Sequence, residues 1–156
     1  ARAGRALGRA LPRGRFERLS IAGRRVVIDG AHNAEGMAAL LAELAPCSPV
    51  CVASFMSDKD LAPLAAAMAE ASSRIIFTRS SSYRSADPRA VAAALPPQLR
   101  RRALVVPDPL KALRRAVSLA PRGGTVLAAG SLYLAGDLIA ALAGRRAFHP
   151  REMLVK

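Results

Sequence analysis

The chain has 156 residues, enough for one domain with a full hydrophobic core. Its residues are 52% hydrophobic but only 4% aromatic, without Trp, so small aliphatics fill the interior; helices packed closely on a sheet suit that better than a sandwich of large side chains. The formal charge of +13 raises nucleic acid as a partner, but aromatics for base stacking are scarce and many of the arginines crowd the first 25 residues.

Residues 1–12 read as an Arg-rich linker into a single domain spanning 13–144. "RFERLSIAGRRVVI" predicts a hairpin turning at Ala22-Gly23, its first strand antiparallel at an edge. "RRVVIDG" is a strand, and "NAEGMAALLAELA" a helix with its apolar residues on one face. "PVCVASF" is a strand, followed by the helix "KDLAPLAAAMAEA", which tolerates Pro63 in its first turn. "RIIFTRS" is a strand, "SSSYRSADP" a polar loop, and "DPRAVAAAL" a helix with Asp87 as N-cap and Pro88 in first position. "RALVVP" is a strand and "DPLKALRRAVSLA" a helix with the same Asp-Pro opening. "GTVLAAGS" is the last strand, and "SLYLAGDLIAALAG" the last helix, closing at Gly144. Residues 145–156 read as a tail lying over the surface, and His149 as a lone tail histidine.

Five apolar strands alternating with helices predict an α/β fold. The sheet is open, mostly parallel and doubly wound (Rossmann-like), with helices on both faces and the antiparallel edge strand. Cys47 and Cys51 have neither a redox C-x-x-C spacing nor a second pair for zinc, so Cys51 reads as a buried structural thiol. No run reaches the ~18 apolar residues of a membrane span, and the opening lacks a signal peptide's apolar core, so the expected location is the cytoplasm.

Ligands of open parallel sheets bind at the carboxyl ends of strands. "DGAHN" occupies such a place: Asp29 follows a buried strand, Gly30 allows a tight turn, and His32 and Asn33 precede a helix whose free N–H groups favour anions. Asp29 suits ribose hydroxyls and His32 a phosphate or carboxylate, while capping alone accounts for Asn33 as well as a ligand does. After the next strand, "FMSDKDL" offers Asp58 as helix cap and puts Lys59 in a first turn, where an anionic ligand would offset the helix dipole. In "AAGSLYL", Ser131 is by itself an ordinary N-cap. The chain contains no G-x-x-x-x-G-K-[S/T], G-x-G-x-x-G or G-x-S-x-G motif and no metal-spaced His/Cys cluster. These loops look like half of a site.

"GRFE" (14–17), "IDGAHN" (28–33), "SDKD" (57–60) and "AGSLYLAGD" (129–137), in this order and spacing, resemble the C-terminal domain of folylpolyglutamate synthase/dihydrofolate synthase, a folate branch of the Mur ligase superfamily. Two departures stand out: Arg13 is inserted ahead of the Gly-Arg of the entrance motif, and Ala34 follows Asn33 where the family often has Pro. The resemblance implies an ATP-dependent amide ligase that joins L-glutamate to dihydropteroate or a folate's glutamate tail through an acyl phosphate. It implies an N-terminal ATPase domain, carrying the phosphate loop and the ligands of Mg2+, as the essential partner; this domain would ligate no metal, work as part of a monomer and be inactive alone. It assigns Asp29, Arg15, Asn33 and Lys59 to ATP, Ser131 to glutamate, and His32 to glutamate and catalysis. Two other readings stand beside it: a stand-alone module binding a nucleotide or acidic ligand, and a basic nucleic-acid-associated protein.

Overall fold

The computed structural model describes residues 17–58 and 60–144. The linker at 1–12, the tail at 145–156 with His149, and the candidate ligands Arg15 and Lys59 lie outside the described residues. Strands β1 (Glu17–Ile21) and β2 (Arg24–Ile28) form the expected hairpin. Its two turn residues, Ala22 and Gly23, have φ of 49° and 74°, the left-handed pair that matches strand twist in a two-residue turn. The chain continues through α1 (Ala34–Leu44), β3 (Val50–Ala53), α2 (Leu61–Ala71), β4 (Arg74–Phe77), α3 (Pro88–Ala94) and α4 (Pro97–Arg100). It ends through β5 (Ala103–Val105), α5 (Pro109–Leu119), β6 (Thr125–Ala129) and α6 (Leu132–Leu142). The expected strands and long helices are present. The short α4 was not anticipated, because Pro96-Pro97 reads as a break rather than as the start of a turn of helix.

The sheet order is β1-β2-β6-β3-β4-β5, parallel except for β1 at the edge. Alternate strand residues feed two cores. Val27, Cys51, Ile75, Phe77 and Leu127 point towards α1, α2, α3 and α4, while Val26, Ile28, Val52, Ile76 and Val126 point towards α5 and α6. Ala65 and Ala69 of α2, and Ala112 and Ala116 of α5, are buried, so alanines let these helices sit close to the sheet. Among the described residues no helix is long and apolar enough to cross a membrane.

Inserting the last strand between β2 and β3 positions the loops of interest. The three motif loops leave adjacent strands at one edge. β2 and β3 exit to α1 and α2 on one face, whereas β6 exits to α6 on the other. Divergence of neighbouring exits opens a crevice, the usual ligand position in such sheets.

Candidate functional site

Asp29 emerges from β2 half-buried, with its amide bonded to Ala128 O at 2.9 Å. Its Oδ1 accepts from Ala31 N–H at 2.7 Å, which fixes the carboxylate over the tight turn. His32 Nδ1 lies 2.9 Å from Gly30 O. A carbonyl only accepts, so Nδ1 carries the proton and Nε2 of the neutral ring presents its lone pair. Asn33 is the N-cap of α1: its Oδ1 accepts from Gly36 N–H at 2.7 Å. A Cβ at Gly36 would approach that oxygen to 3.0 Å, so glycine gives the cap its room. Asp29, His32, Asn33 and Leu132 line a cleft of about 400 Å³ beside α1.

The exit loop of β6 locks against this turn. Gly130 has φ +107° and donates its N–H to Ala31 O at 2.9 Å. A Cβ there would meet Ser54 O at 2.5 Å and Phe55 at 2.9 Å, so only glycine fits between the two neighbouring exits. Ser131 is 1% exposed, caps α6 by accepting from Tyr133 N–H at 3.1 Å, and contacts Met56 Sδ at 3.9 Å. Its hydroxyl serves the helix first, as its sequence position suggests.

The loop after β3 departs from expectation. Asp58 does not cap α2; the N-cap is Asp60, which makes no side-chain capping bond. Asp58 instead meets Arg84 at 3.2 Å, both about half-exposed, an ion pair worth little to stability. Arg84 comes from the loop after β4, 26 residues away, which no local pattern announces. That loop, read as polar, is partly interior. Ser80, Ser82 and Ser85 are buried, Ser54 Oγ lies 3.2 Å from Ser85 Oγ, and Ser80 N–H donates to both hydroxyls. The run of serines directly after an apolar strand was the available signal.

Sequence also gave no warning of Asp137, which α6 buries to 9% exposure. Its Oδ2 accepts from Ser81 N–H at 2.7 Å, while Oδ1 has no partner among the described residues. Burial pushes its pKa up, against the hydrogen bond from Ser81. Cys51 is fully buried in β3, and burial pushes its thiol up to about 12, so it stays protonated and structural at neutral pH.

A family model described as "Mur ligase, glutamate ligase domain" matches residues 14–132. The chain belongs to that family. No curated protein matches it by sequence. Among solved structures, a Mycobacterium tuberculosis folylpolyglutamate synthase complexed with ADP and AMPPCP is 30% identical at a TM-score of 0.73, covering 86% of this chain and 33% of that one. A bifunctional folylpolyglutamate synthase/dihydrofolate synthase from Yersinia pestis is 27% identical at a TM-score of 0.74, covering 88% and 32%. A bifunctional folylpolyglutamate synthase/dihydrofolate synthase with Mn, AMPPNP and L-glutamate bound is also 27% identical, at a TM-score of 0.73. E. coli FolC, in complex with DHPP and ADP, shares the fold at a TM-score of 0.71. This Mur ligase domain thus spans about a third of the length of the solved structures it matches.

Proposed function

We propose that this domain is the C-terminal part of a cytoplasmic ATP-dependent ligase that adds L-glutamate to dihydropteroate or to a folate's glutamate tail. The observation that carries the reading is the cleft at Asp29–Asn33, where neighbouring strands exit to opposite faces. The relatives add weight, since their solved structures hold adenine nucleotides and, in one case, L-glutamate.

In the proposed reaction the γ-phosphoryl group of ATP passes to a folate carboxylate, releasing ADP. The glutamate amine then attacks the acyl phosphate carbon, loses a proton and expels inorganic phosphate as the amide bond forms. Such chemistry depends on positioning and on neutralising charge. Asp29, held by Ala31 N–H, accepts from the ribose hydroxyls of ATP. The family resemblance also assigns Asn33 to the nucleotide, together with Arg15 and Lys59, which lie outside the described residues. His32 Nε2, left as acceptor by the Nδ1 bond to Gly30 O, faces the incoming amine, and Ser131 borders the glutamate. Among the described residues no group of three His, Cys, Asp or Glu could hold a metal. No step here runs through a metal ion.

Steady-state kinetics of the whole ligase containing this domain test the reading. Asp29→Ala is expected to raise the KM for ATP and His32→Ala to act on glutamate, each lowering kcat/KM about 10- to 150-fold, the worth of one hydrogen bond to a charged group. Wild-type kinetics in both variants would return Asp29 and His32 to a purely structural role. The 156-residue chain by itself is expected to form no folate–glutamate bond; measurable ligation by it would refute the two-domain reading.

A further inference from the structure

Ser131 poses a problem of access. The proposed reaction sets it beside the incoming glutamate, yet it is buried, and Met56 Sδ lies 3.9 Å from its Oγ. The oxygen already accepts from Tyr133 N–H at 3.1 Å, so the O–H is the group left to donate. A thioether sulfur is a weak acceptor, whereas hydrogen bonds to a carboxylate are among the strong ones. A carboxylate oxygen would therefore replace the sulfur with a net gain for the hydroxyl.

The surroundings decide which part can give way. Gly130, directly before Ser131, is bonded to Ala31 O and wedged against Ser54 and Phe55. The main chain around Met56 is clamped to the loop after β4. Ser57 N–H donates to Arg84 O at 2.7 Å, Ala86 N–H donates to Phe55 O at 2.8 Å, and Met56 pairs with Ser85 in an isolated antiparallel bridge. The Phe55 ring is buried and packs on Phe77, with centroids 6.4 Å apart. What can move is the Met56 side chain. It lies at the rim of the core, 7% exposed against 0% for Met68, and an unbranched thioether has three rotatable bonds.

We propose that Met56 is a positioning residue for the amino-acid substrate: its side chain rotates aside and uncovers Ser131, whose hydroxyl then donates to a carboxylate oxygen of glutamate. The role rests on the ligase reading, and neither loop has to move. The test is steady-state kinetics of the whole ligase, with L-glutamate and ATP varied in turn. Met56→Ile keeps an apolar cover but is branched at Cβ and restricted at χ1. It is expected to raise the KM for glutamate about 2- to 10-fold, the worth of a side chain forced off its rotamer, with kcat and the KM for ATP unchanged. Met56→Leu, similar in volume and unbranched at Cβ, is expected to restore the wild-type value. In a Ser131→Ala background the KM for glutamate is already raised, and Met56→Ile is expected to change it no further. The role would be overturned by an unchanged KM for glutamate in Met56→Ile, an equal rise in Met56→Leu, or a matching rise in the KM for ATP. A full Met56→Ile effect without the Ser131 hydroxyl would overturn it too. Should Met56→Ile not fold, the Met56 methyl resonance of the wild-type ligase with a non-hydrolysable ATP analogue decides: L-glutamate is expected to shift it, and no shift sinks the role. No glutamate ligation by the wild-type ligase would sink the ligase reading and this role together, whereas normal ligation with a flat Met56 series sinks this role alone.

Discussion

Two polar loops at the same edge of the sheet have opposite characters. In the loop between β2 and α1, the polar groups are half-buried or exposed, and their side chains bond to near neighbours in the chain: Asp29 to Ala31, His32 to Gly30, Asn33 to Gly36. In the loop between β4 and α3, Ser80, Ser82 and Ser85 are buried, and Ser54 meets Ser85 across 31 residues and Ser80 across 26. Short-range bonds aim a side chain while leaving it beside a cleft. Long-range bonds use the side chain to hold one loop against another. Polarity alone does not separate the two; the reach of the bonds does.

The sharpest test strikes where the loops meet. Gly130→Ala would place a Cβ 2.5 Å from Ser54 O in a residue at φ +107°, with both strain and overlap. A loss on the order of 3 kcal/mol is expected from strain and overpacking together. Urea denaturation reads it directly. A change within about 0.5 kcal/mol, the range of a neutral surface substitution, would mean the loops are not rigidly coupled.

The contrast itself predicts a crossed pattern. Asp29→Ala and His32→Ala should cost the whole ligase about 10- to 150-fold in kcat/KM, yet leave the domain folded. Ser85→Ala should do the reverse. It removes one acceptor for Ser80 N–H, which keeps Ser54 Oγ, so about 1 kcal/mol of stability is expected to go with substrate KM values unchanged. Melts and kinetics on the same three variants check this. Equal kinetic damage from Ser85→Ala would erase the distinction between the loops.

How much of this was legible depended on distance along the chain. The strands, the Ala22-Gly23 turn and the caps at Asn33, Asp87, Asp108 and Ser131 follow from patterns within a few residues, and all are present. The candidate loop at Asp29 was legible for the same reason, since a strand followed by Asp-Gly and a capped helix is a local statement. Asp58 was misread because its partner, Arg84, lies on another loop. The segment after β4 was legible only as a polar loop, because the burial of its serines depends on Ser54 and on the isolated pairing of Met56 with Ser85. Asp137 sits among apolar residues of α6, and its carboxylate takes its bond from Ser81, 56 residues away.

Asp137 yields the smallest effect and a clear sign. The side chain borders a cleft also lined by Arg79, Ser80 and Asp108, yet Oδ1 has no partner among the described residues. Desolvation raises its pKa above the ordinary 3.8, outweighing the bond from Ser81. Folding therefore favours the protonated acid. A raised folded pKa gives a contribution that is complete below the unfolded value and is lost as pH rises through the folded one. Asp137→Asn keeps an oxygen for Ser81 N–H and removes the ionisation. The stability of the parent minus that of Asp137→Asn should thus be greatest below pH 3.8, fall as pH climbs through the raised value, and then level off. Taking the difference cancels the other carboxylates, which titrate in both proteins. Urea midpoints measured from pH 3 upward would show it, and a flat or rising difference would mean that Asp137 is not held in a desolvating site. The loop after β4 would then be less closed than its buried serines indicate, which would narrow its contrast with the Asp29 loop.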